Sequence, residues 1–563
     1  MDVPRLHFSG EFAADPATGN NVLGACCSPG SSTPASGCSH NNAVTIDGDP
    51  GLEGWNKDGK HHFNLGTCRV GLAVDASGAA APATDALVGG SVESTNDPRA
   101  ARIVDLDPDH QTSSQIWGLG IRVADKGGEG LTARVDTATL RELWMTRAPT
   151  GFARGIGGVY QSVLSGVTWQ PAVGPMQSPL LDALRAASPQ RLSIKMVLYA
   201  YDHRSSSADF TVGKVVGTIG PAKAGEPDHF IPDRRVVHGG AGGFTAAPFN
   251  SAPFNTAPFK VDTGRRRLVI DLGNALPEAA PAGARQASIG TLRAQIVHPA
   301  PTAPETVGTI TYDTAHYRLT AGVEELTLTQ PQVTALATRP LRLTGGSKVM
   351  LAERTAGIHV DATETVVRLN PGETTDVDLV VTQFGRPMAN ANVLVGPSTS
   401  GASLTGIAVK PGPAFSTTLT SFPATVKTDA GGKVTLRLVA SDPGHPRQHV
   451  DGQVSFLGFF VSSATAANLR GQIAIRVFDP HPAPANPKWA DVEPILLQYF
   501  RMYPSMRLPF LKLNDHASVQ GNRGLVAAAL QRAETDPGYM PVTRDLSRDK
   551  KALLLAWLNA GAP

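Results

Sequence analysis

The spacing of apolar residues changes once along the chain, near residue 490, and this change constrains the fold more than any other feature. Before it, aliphatic and β-branched runs of strand length, such as Leu192–Tyr201 and Arg267–Leu272, lie between turn-forming residues. After it, Val492, Ile495 and Leu496 begin a pattern that recurs at helical spacing. Side chains repeat every two residues in a strand and about every 3.6 in a helix. The sequence therefore predicts a mainly β, multidomain protein that ends in a small α-helical C-terminal module.

Length and composition support this division. The chain has 563 residues, of which 17% are charged, with 58 Gly and 44 Pro. This length is too great for one core, and the charged fraction lies below the roughly 25% of typical soluble domains. We expect a β-rich N-terminal region over residues 1–365, which can divide into two subdomains near residue 190. It is followed by an immunoglobulin-like β-sandwich over 366–480, a linker over 481–490 and the helical module over 491–563.

The segment 366–480 carries a recognisable order of strands and turns. An alternating run, Asp376–Thr382, precedes the turn Gly385-Arg386-Pro387. A Thr-Asp-x-Gly turn at 428–431 then precedes the run Lys433–Val439. This order resembles bacterial immunoglobulin-like domains, which usually space or bind and seldom catalyse.

Two further segments are predicted as helices, and one as a loop. The helices are Ser178–Ala187, where the leucines share a face, and Gly521–Arg532. The loop contains a repeat of Pro-Phe-Asn-Ser/Thr-Ala over 248–259, where each proline fixes φ and lacks a donor, so a central strand is excluded. Its three phenylalanines can pack on the body of the protein, or the repeat can serve as a proline-rich ligand for a partner.

Charge and hydropathy exclude two classes of partner. The formal net charge is +2, and the longest basic tract is Arg265-Arg266-Arg267, so the electrostatic footprint of a nucleic-acid-binding protein is missing. No window approaches the roughly 18 apolar residues of a membrane span, and the N-terminus lacks the apolar stretch of a signal peptide. We therefore expect a cytoplasmic protein with reduced cysteines and no membrane span.

Soft metal ligands are concentrated between residues 26 and 68. Thiolates and imidazoles suit zinc, copper(I) or iron, but the spacing contains no Cys-x-x-Cys pair. A bound metal, one or two disulfides, and inert buried thiols all stay open, and no other cofactor is identified. The residues that would hold a metal are Cys26, Cys27, Cys38, His40 and Cys68.

Five short segments follow one another in the first 120 residues: Pro4–Gly10, His62–Asn64, Leu87–Gly90, Val104–Pro108 and Gln115–Gly118. In this order they resemble the start of the chromopyrrolic acid synthases, a family that couples two tryptophan-derived imines in violacein- and rebeccamycin-type pathways. The resemblance implies the family's β-rich N-terminal fold. The family's ferritin-like domain is not expected, because no Glu-x-x-His pair lies on a long predicted helix.

Some of these segments contain polar and aromatic side chains that could converge on a ligand. Asp105-x-Asp107-Pro is also an ordinary turn sequence, so a turn and a binding site both stay open. The candidate ligand-binding residues are His62, Asn64, Asp105, Asp107, Gln115 and Trp117.

The C-terminal module resembles a c-type cytochrome domain without its haem attachment site. Its first helix leads into Met502–Met506, where such domains carry Cys-x-x-Cys-His. Met540 with Pro541 follows, and a final helix with Ser547 as its N-cap carries Trp557. Covalent haem needs two thiols, so we expect none to be attached. Met540 is either a core residue or an axial ligand.

Three functions stay open from the sequence. The protein is a scaffold or partner subunit in oxidative natural-product metabolism of the tryptophan-derived imine type, with a ferritin-like protein or an oxidase as its partner. Alternatively, it is a non-enzymatic binding or structural protein that acts through protein contacts. The third alternative is a metal-dependent enzyme that uses the N-terminal Cys/His cluster.

Overall fold

The computed structural model describes residues 2–15, 61–66, 68–95, 99–106, 113–144, 157–171, 178–202, 208–222, 234–238, 254–279, 283–285, 290–397, 420–445, 451–462, 471–502, 507–508 and 510–563. The protein is mainly β and multidomain, with an immunoglobulin-like β-sandwich and a small α-helical C-terminal module. The fold class predicted from the sequence is therefore confirmed.

The first domain is a 13-stranded sheet in which eight strands close into a ring. The ring closes because β13 pairs with β1, and the order around it is β13-β12-β11-β8-β7-β4-β3-β1. Four more strands, in the order β2-β5-β6-β9, continue the sheet from the C-terminal end of β1, where Phe12–Ala14 pair with β2. Strand β10 pairs with β11. The strands are β1 Arg5–Ala14, β2 His62–Leu65, β3 Cys68–Val74, β4 Ser91–Ser94, β5 Ala101–Val104, β6 Gln115–Trp117, β7 Gly120–Ala124, β8 Gly130–Val135, β9 Ala138–Thr139, β10 Arg141–Trp144, β11 Gly157–Gln170, β12 Leu192–Tyr199 and β13 Val212–Pro221, with helix α1 at Pro179–Ala187.

The second domain is built on an eight-stranded sheet in the order β20-β19-β22-β23-β14-β15-β16-β21. A separate pair, β17-β18, and two short helices accompany it. The elements are β14 Arg234–His238, β15 Ala257–Asp262, β16 Arg267–Asp271, β17 Glu278–Ala279, β18 Ala284–Arg285, β19 Leu292–Ile296, β20 Glu305–Ile310, α2 Thr314–Thr320, β21 Val323–Thr327, α3 Gln330–Leu336, β22 Leu341–Gly345 and β23 Lys348–Ala352.

Strand β12 joins the cores of these two domains. All eight of its residues are buried, because one face packs inside the first domain and the other faces the second. Ile194 and Met196 belong to the first core, and Val197 and Tyr199 belong to the second. A division near residue 190 would cut the first sheet. The boundary between the two sheets lies instead between residues 221 and 234.

The β-sandwich consists of two five-stranded sheets, β24-β26-β31-β29 with β27 on β26, and β25-β33-β32-β28-β30. Val377, Leu379 and Val381 of β26 point into its core, whereas Asp376 and Asp378 are exposed, as the alternating sequence predicts. The strands are β24 Ile358–Ala362, β25 Val366–Leu369, β26 Thr374–Gln383, β27 Arg386–Pro387, β28 Asn392–Pro397, β29 Thr420–Ser421, β30 Thr425–Lys427, β31 Lys433–Ala440, β32 Gln453–Val461 and β33 Gly471–Val477.

The C-terminal module packs helices α4 and α7 around a small apolar core that includes Val492, Leu554 and Trp557. Trp557 is fully buried, and its ring lies 5.7 Å from that of Trp489. The elements are α4 Trp489–Met502, β34 Arg507–Leu508, β35 Leu511–Lys512, α5 His516–Gly521, α6 Arg523–Leu530 and α7 Arg548–Asn559. Among the residues that the structure describes, no helix has both the length and the apolar character to cross a bilayer.

The proline-rich repeat differs in part from its prediction. Phe254 and Phe259 are buried in the second core, as expected for side chains that pack on the body. However, Pro258 lies within β15, which is an internal strand of the sheet. The strand accepts it because Pro258 pairs only with Arg235 of β14, and pairing with β16 begins one residue later. The first copy of the repeat lies outside the described residues.

Candidate functional site

Strands β2, β5 and β6 bring several of the predicted ligand-binding residues together. His62 pairs with Arg102, and Arg102 pairs with Trp117. Gln115 lies two residues before Trp117 on β6, so the two side chains share a face. Residues that are directly opposite on neighbouring strands also share a face. The sheet extension therefore gathers His62, Gln115 and Trp117 on one surface of the first domain.

Trp117 is in contact with two arginines that come from other domains. The guanidinium carbon of Arg368, on β25 of the sandwich, is 5.7 Å from the centre of the indole ring. The guanidinium carbon of Arg544, in the C-terminal module, is 5.3 Å from it. Trp117 itself is 8% exposed. The indole is thus covered by the sandwich and the module, and it holds three domains at one point.

Arg544 is fixed on all sides. Its guanidinium donates to the backbone carbonyls of Glu534, Asp536 and Val542, and the ring of Tyr539 lies 5.5 Å away. Burial and the nearby Arg102 lower the pKa of Arg544 to about 10. At neutral pH the side chain is therefore still a cation, which favours its position against the negative face of the indole ring.

Arg368 contacts the polar candidates beside Trp117. It donates to the side-chain oxygen of Gln115 and lies 3.4 Å from the carbonyl oxygen of Asp105. The Asp105 carboxylate accepts from the hydroxyl of Ser114. Gln115 is 6% exposed. Gln115 thus serves the contact between the first domain and the sandwich through its side chain, and Asp105 serves it through its backbone carbonyl. Asp107 lies outside the described residues.

A turn of the C-terminal module approaches the first domain at β5 and at the C-terminal end of β6. Arg102 Nε donates to the carbonyl oxygen of Pro537 at 3.1 Å. Gly118 has a φ of +68°, and a Cβ at this position would lie 2.7 Å from Pro537 Cδ and 2.9 Å from the carbonyl oxygen of Thr535. Both its conformation and the close contact require glycine. The C-terminal end of β6 is therefore shaped to receive the module.

The two remaining candidates, His62 and Asn64, lie on β2 at the border of the described segment 61–66 and are half-buried. Their neighbour His61 has a φ of +53°. Burial lowers the pKa of His61 to about 4, and the nearby Arg102 and Arg544 act in the same direction. A neutral imidazole is therefore held next to the cationic cluster.

The predicted metal ligands fall mostly outside the described residues, namely Cys26, Cys27, Cys38 and His40. Cys68 is fully buried on β3, and its thiol lies 3.7 Å from the carbonyl oxygen of Glu11. Burial raises the pKa of this thiol to about 12, so it stays protonated. Within the described ranges, no three His, Cys, Asp or Glu side chains converge as metal ligands. Met540, the residue considered as an axial ligand, is half-buried in a loop before α7.

A second junction joins the first domain, the second domain and the sandwich, and it carries four charged side chains. Arg235 of β14 lies 2.6 Å from Glu142 of β10 and 2.8 Å from Asp361 of β24. His359 Nε2 is 2.9 Å from Asp361 Oδ2, and Arg141 Nη2 donates to the carbonyl oxygen of Ala362 at 3.0 Å. Burial alone would raise the pKa of Asp361, but Arg235, His359 and Arg141 bring it well below its usual range.

Sequence reasoning missed the residues that complete both junctions. They are arginines that belong to other domains and are distant in sequence, chiefly Arg368, Arg544 and Arg235. One signal was present, since Arg368 and Arg476 each interrupt a run of aliphatic strand residues. Arg476 is 1% exposed and donates to the carbonyl oxygens of Leu106 and Asp451. A buried arginine needs such partners, so an arginine inside an apolar strand indicates a contact to another segment.

Comparisons with known proteins give distant structural neighbours and no family. No family model and no curated protein matches the chain. Among solved structures, the D0-D1 domain of Intimin is 14% identical, with 38% of this chain and 93% of that chain covered and a TM-score of 0.16. Domains 4 and 5 of the S-layer protein SbsC are 10% identical, with 32% and 90% covered and a TM-score of 0.15. The Yersinia pseudotuberculosis adhesin InvE is 12% identical, with 39% and 55% covered and a TM-score of 0.16. These figures leave the resemblance to chromopyrrolic acid synthases a prediction.

Proposed function

We propose that the protein is a non-enzymatic scaffold, whose domains are held in one arrangement and which acts through contacts with another protein subunit. One observation carries this proposal. Trp117, the most distinctive candidate for ligand binding, is 8% exposed and has the guanidinium groups of Arg368 and Arg544, from two other domains, within 6 Å of its ring centre. Its indole ring is used to join domains.

The chemistry of the junction supports a fixed arrangement. Interdomain interfaces within one chain permit relative motion unless they are large or strongly held. A cation stacked on a desolvated indole contributes about 2 kcal/mol, and Trp117 receives two such cations. Each guanidinium also donates a hydrogen bond to a second residue. Arg368 donates to the side-chain oxygen of Gln115, and Arg544 donates to the carbonyl oxygen of Asp536. Together these contacts oppose rotation of the sandwich or the module against the first domain.

A second candidate is a partner subunit in oxidative natural-product metabolism of the tryptophan-derived imine type. The position of the resembling segments favours it. Four of the five segments are separated in sequence, yet their described residues fall on or next to β1, β2, β5 and β6, which are consecutive neighbours in one sheet, whereas Leu87–Gly90 precedes β4. Segments that gather on adjacent strands are what a common backbone plan for this part of the chain would require.

The scaffold proposal is tested with the full-length chain and a matched pair of variants. Partners are captured from the native host, and each is then produced separately and titrated against purified protein. Trp117→Ala disturbs the interdomain junction, whereas Trp169→Ala removes an indole that stacks on Arg185 within the first domain, 5.9 Å from its guanidinium carbon. We expect a stoichiometric partner that binds the Trp117→Ala protein at least about tenfold more weakly than wild type, because a scaffold depends on domain placement.

Two results would overturn the scaffold proposal. One is a partner that binds wild type and Trp117→Ala protein equally well. The other is a purified chain that contains stoichiometric metal by elemental analysis and turns over a substrate alone. A partner that proves to be a ferritin-like protein or an oxidase would favour the second candidate over the first.

A further inference from the structure

The C-terminal module exposes two large apolar side chains, Phe510 and Leu525, which are 58% and 55% accessible. Phe510 lies between the paired strands β34 and β35, and its carbonyl oxygen accepts from the side-chain amide of Asn522 at 2.7 Å. Asn522 is the N-cap of α6, and Leu525 follows it by three residues, so both lie on the same face of this helix. Phe510 and Leu525 therefore form one apolar patch, which we call the Phe510 patch.

The Phe510 patch is open to solvent while the domains are joined. The contacts that hold the module against the first domain belong to another part of it, around Pro537 and Arg544. Gly521 and Gly524 precede Leu525 by four residues and by one. A Cβ built on either glycine would have no neighbouring atom within 4 Å outside its own stretch of backbone. The patch is therefore available to a partner of the whole molecule.

The surroundings of the patch are basic. Lys512 and Arg523 are exposed, and each lies two residues from one of the two apolar side chains. Residues 507–532 contain four Lys or Arg and one Asp, a formal net charge of +3, whereas the whole chain has +2. The one acid, Asp515, caps α5 by accepting from Ser518 N at 2.7 Å. This distribution of charge favours a partner with a negatively charged surface.

The size of the patch distinguishes between a protein and a membrane as that partner. About half of two large side chains corresponds to apolar surface on the order of 200 Å². A stable protein interface buries about 800 Å² of each partner. A membrane surface requires less, because individual Phe and Leu side chains insert at the level of the headgroups while Lys and Arg are attracted to anionic lipids. The dimensions and the charge together favour an anionic bilayer.

We propose that the C-terminal module binds the surface of an anionic phospholipid bilayer, with Phe510 and Leu525 inserted among the headgroups. Lys512 and Arg523 face the lipid phosphates and carboxylates. The attachment is peripheral and reversible, and it weakens with salt because the charges act over one Debye length. It does not involve the Trp117 junction, so this inference and the scaffold proposal can fail independently.

Co-sedimentation of the full-length protein with lipid vesicles tests the choice of partner. The vesicles consist of phosphatidylcholine, either alone or with about 30% phosphatidylserine. We expect half of the protein to bind the anionic vesicles at about 1 mM lipid. Each basic side chain near an anionic surface contributes roughly fivefold in affinity, so neutral vesicles should bind at least about tenfold more weakly. Equal binding to both compositions, or no binding at about 5 mM anionic lipid, would overturn the proposal.

A matched pair of variants locates the contact. Phe510→Ser removes the aromatic ring and should weaken binding to anionic vesicles at least about tenfold. Val349→Ser, on β23, is the control, because Val349 is 40% exposed and follows the exposed Lys348. Its affinity should stay within about twofold of wild type. A Phe510→Ser protein that binds anionic vesicles as tightly as wild type refutes the location.

A double variant, Lys512→Gln with Arg523→Gln, tests the role of the two charges. It should bind the anionic and the neutral vesicles with affinities that differ by less than about threefold, because the attraction to phosphatidylserine is lost. An unchanged preference for anionic vesicles would overturn this part of the argument. Sedimentation velocity without lipid tests a second copy as the occupant. A dimer that forms in wild type and is lost in Phe510→Ser would assign the patch to self-association instead.

Discussion

At the scale of single residues, the junction depends on the shape of a guanidinium as well as on its charge. Arg544 donates in three directions to backbone carbonyls while its plane contacts Trp117 and Tyr539. Lysine has the charge but neither the planar fork nor the stacking surface. We expect Arg544→Lys to lower the free energy of unfolding by roughly 2–3 kcal/mol, from lost hydrogen bonds and a weaker contact with the ring.

Arg185→Lys is the matched control for this measurement by chemical denaturation. Arg185 also stacks on a tryptophan, Trp169, but 44% of its side chain is exposed. We expect the free energy of unfolding to change by less than about 0.5 kcal/mol there. Equal losses at Arg544 and Arg185 would contradict the role given to burial.

Two buried histidines should make stability depend on pH. Burial lowers the pKa of His7 to about 3, although His7 also contacts the carbonyl oxygen of Thr320 at 2.8 Å, and burial lowers the pKa of His61 to about 4. An unfolded histidine titrates near pH 6.5. As pH falls below about 6.5, the unfolded chain therefore binds protons that the folded chain excludes. The free energy of unfolding should decline by up to about 1.4 kcal/mol per pH unit for each histidine, down to its folded pKa.

Denaturant titrations of wild type and His7→Asn protein between pH 7 and pH 4 measure this slope. Asparagine can donate to the carbonyl of Thr320 in place of the imidazole and does not titrate. The slope of the free energy of unfolding against pH reports the number of protons taken up on unfolding. We expect this number to be lower by about one in the His7→Asn protein and by about two when His61→Asn is added. A slope that is the same in all three proteins would show that other groups control the acid sensitivity.

At the scale of secondary structure, two buried serines cap helices, and only one of them also contacts a carboxylate. Comparing them separates the contribution of an N-cap hydrogen bond to the free energy of unfolding from that of the carboxylate contact. Ser178 caps α1 by accepting from Leu181 N at 3.2 Å, and its hydroxyl also donates to Asp85 at 2.7 Å. Ser547 caps α7 by accepting from Lys550 N at 3.3 Å. Both are fully buried.

Ser547→Ala should therefore lower the free energy of unfolding by about 1 kcal/mol, which is the usual contribution of an N-cap side chain. Ser178→Ala should cost roughly 2–3 kcal/mol, because the buried carboxylate of Asp85 loses a partner as well. Thermal and denaturant unfolding of the two variants provide the comparison. A Ser178→Ala protein that loses no more than Ser547→Ala would exclude a contribution from Asp85.

The sequence predicted well those helices and strands whose caps and apolar patterns lie within the element itself. The helix predicted with Ser547 as its N-cap is α7, and the run Lys433–Val439 lies within β31 Lys433–Ala440. Helix α2, Thr314–Thr320, was missed because it has fewer than two full turns of apolar pattern. Its place is determined by the second core, where Tyr317 is buried and donates to the carbonyl oxygen of Gly273.

At the scale of the whole molecule, sequence identified the surface of the site but not what covers it. His62, Gln115 and Trp117, three of the candidate ligand-binding residues, lie on neighbouring strands. Their interpretation as a ligand site depended on the surface being open. Arg368 and Arg544 lie more than 250 and 420 residues away from Trp117 along the chain. The apolar run that Arg368 interrupts indicates a contact with another segment, but a single sequence does not identify Trp117 as the partner.

The same contacts should determine how the molecule unfolds. Domains that are joined only by mobile linkers melt independently, whereas domains that share buried contacts unfold together. Trp117 contacts the sandwich through Arg368 and the C-terminal module through Arg544, so Trp117→Ala removes both contacts at once. We expect calorimetry of this variant to resolve an additional transition, with the ratio of calorimetric to van't Hoff enthalpy higher than in wild type. Trp169→Ala, which removes an indole within one domain, should lower the melting temperature without changing that ratio. If Trp117→Ala shifts only the melting temperature, other contacts such as Arg235 with Asp361 are sufficient to couple the domains.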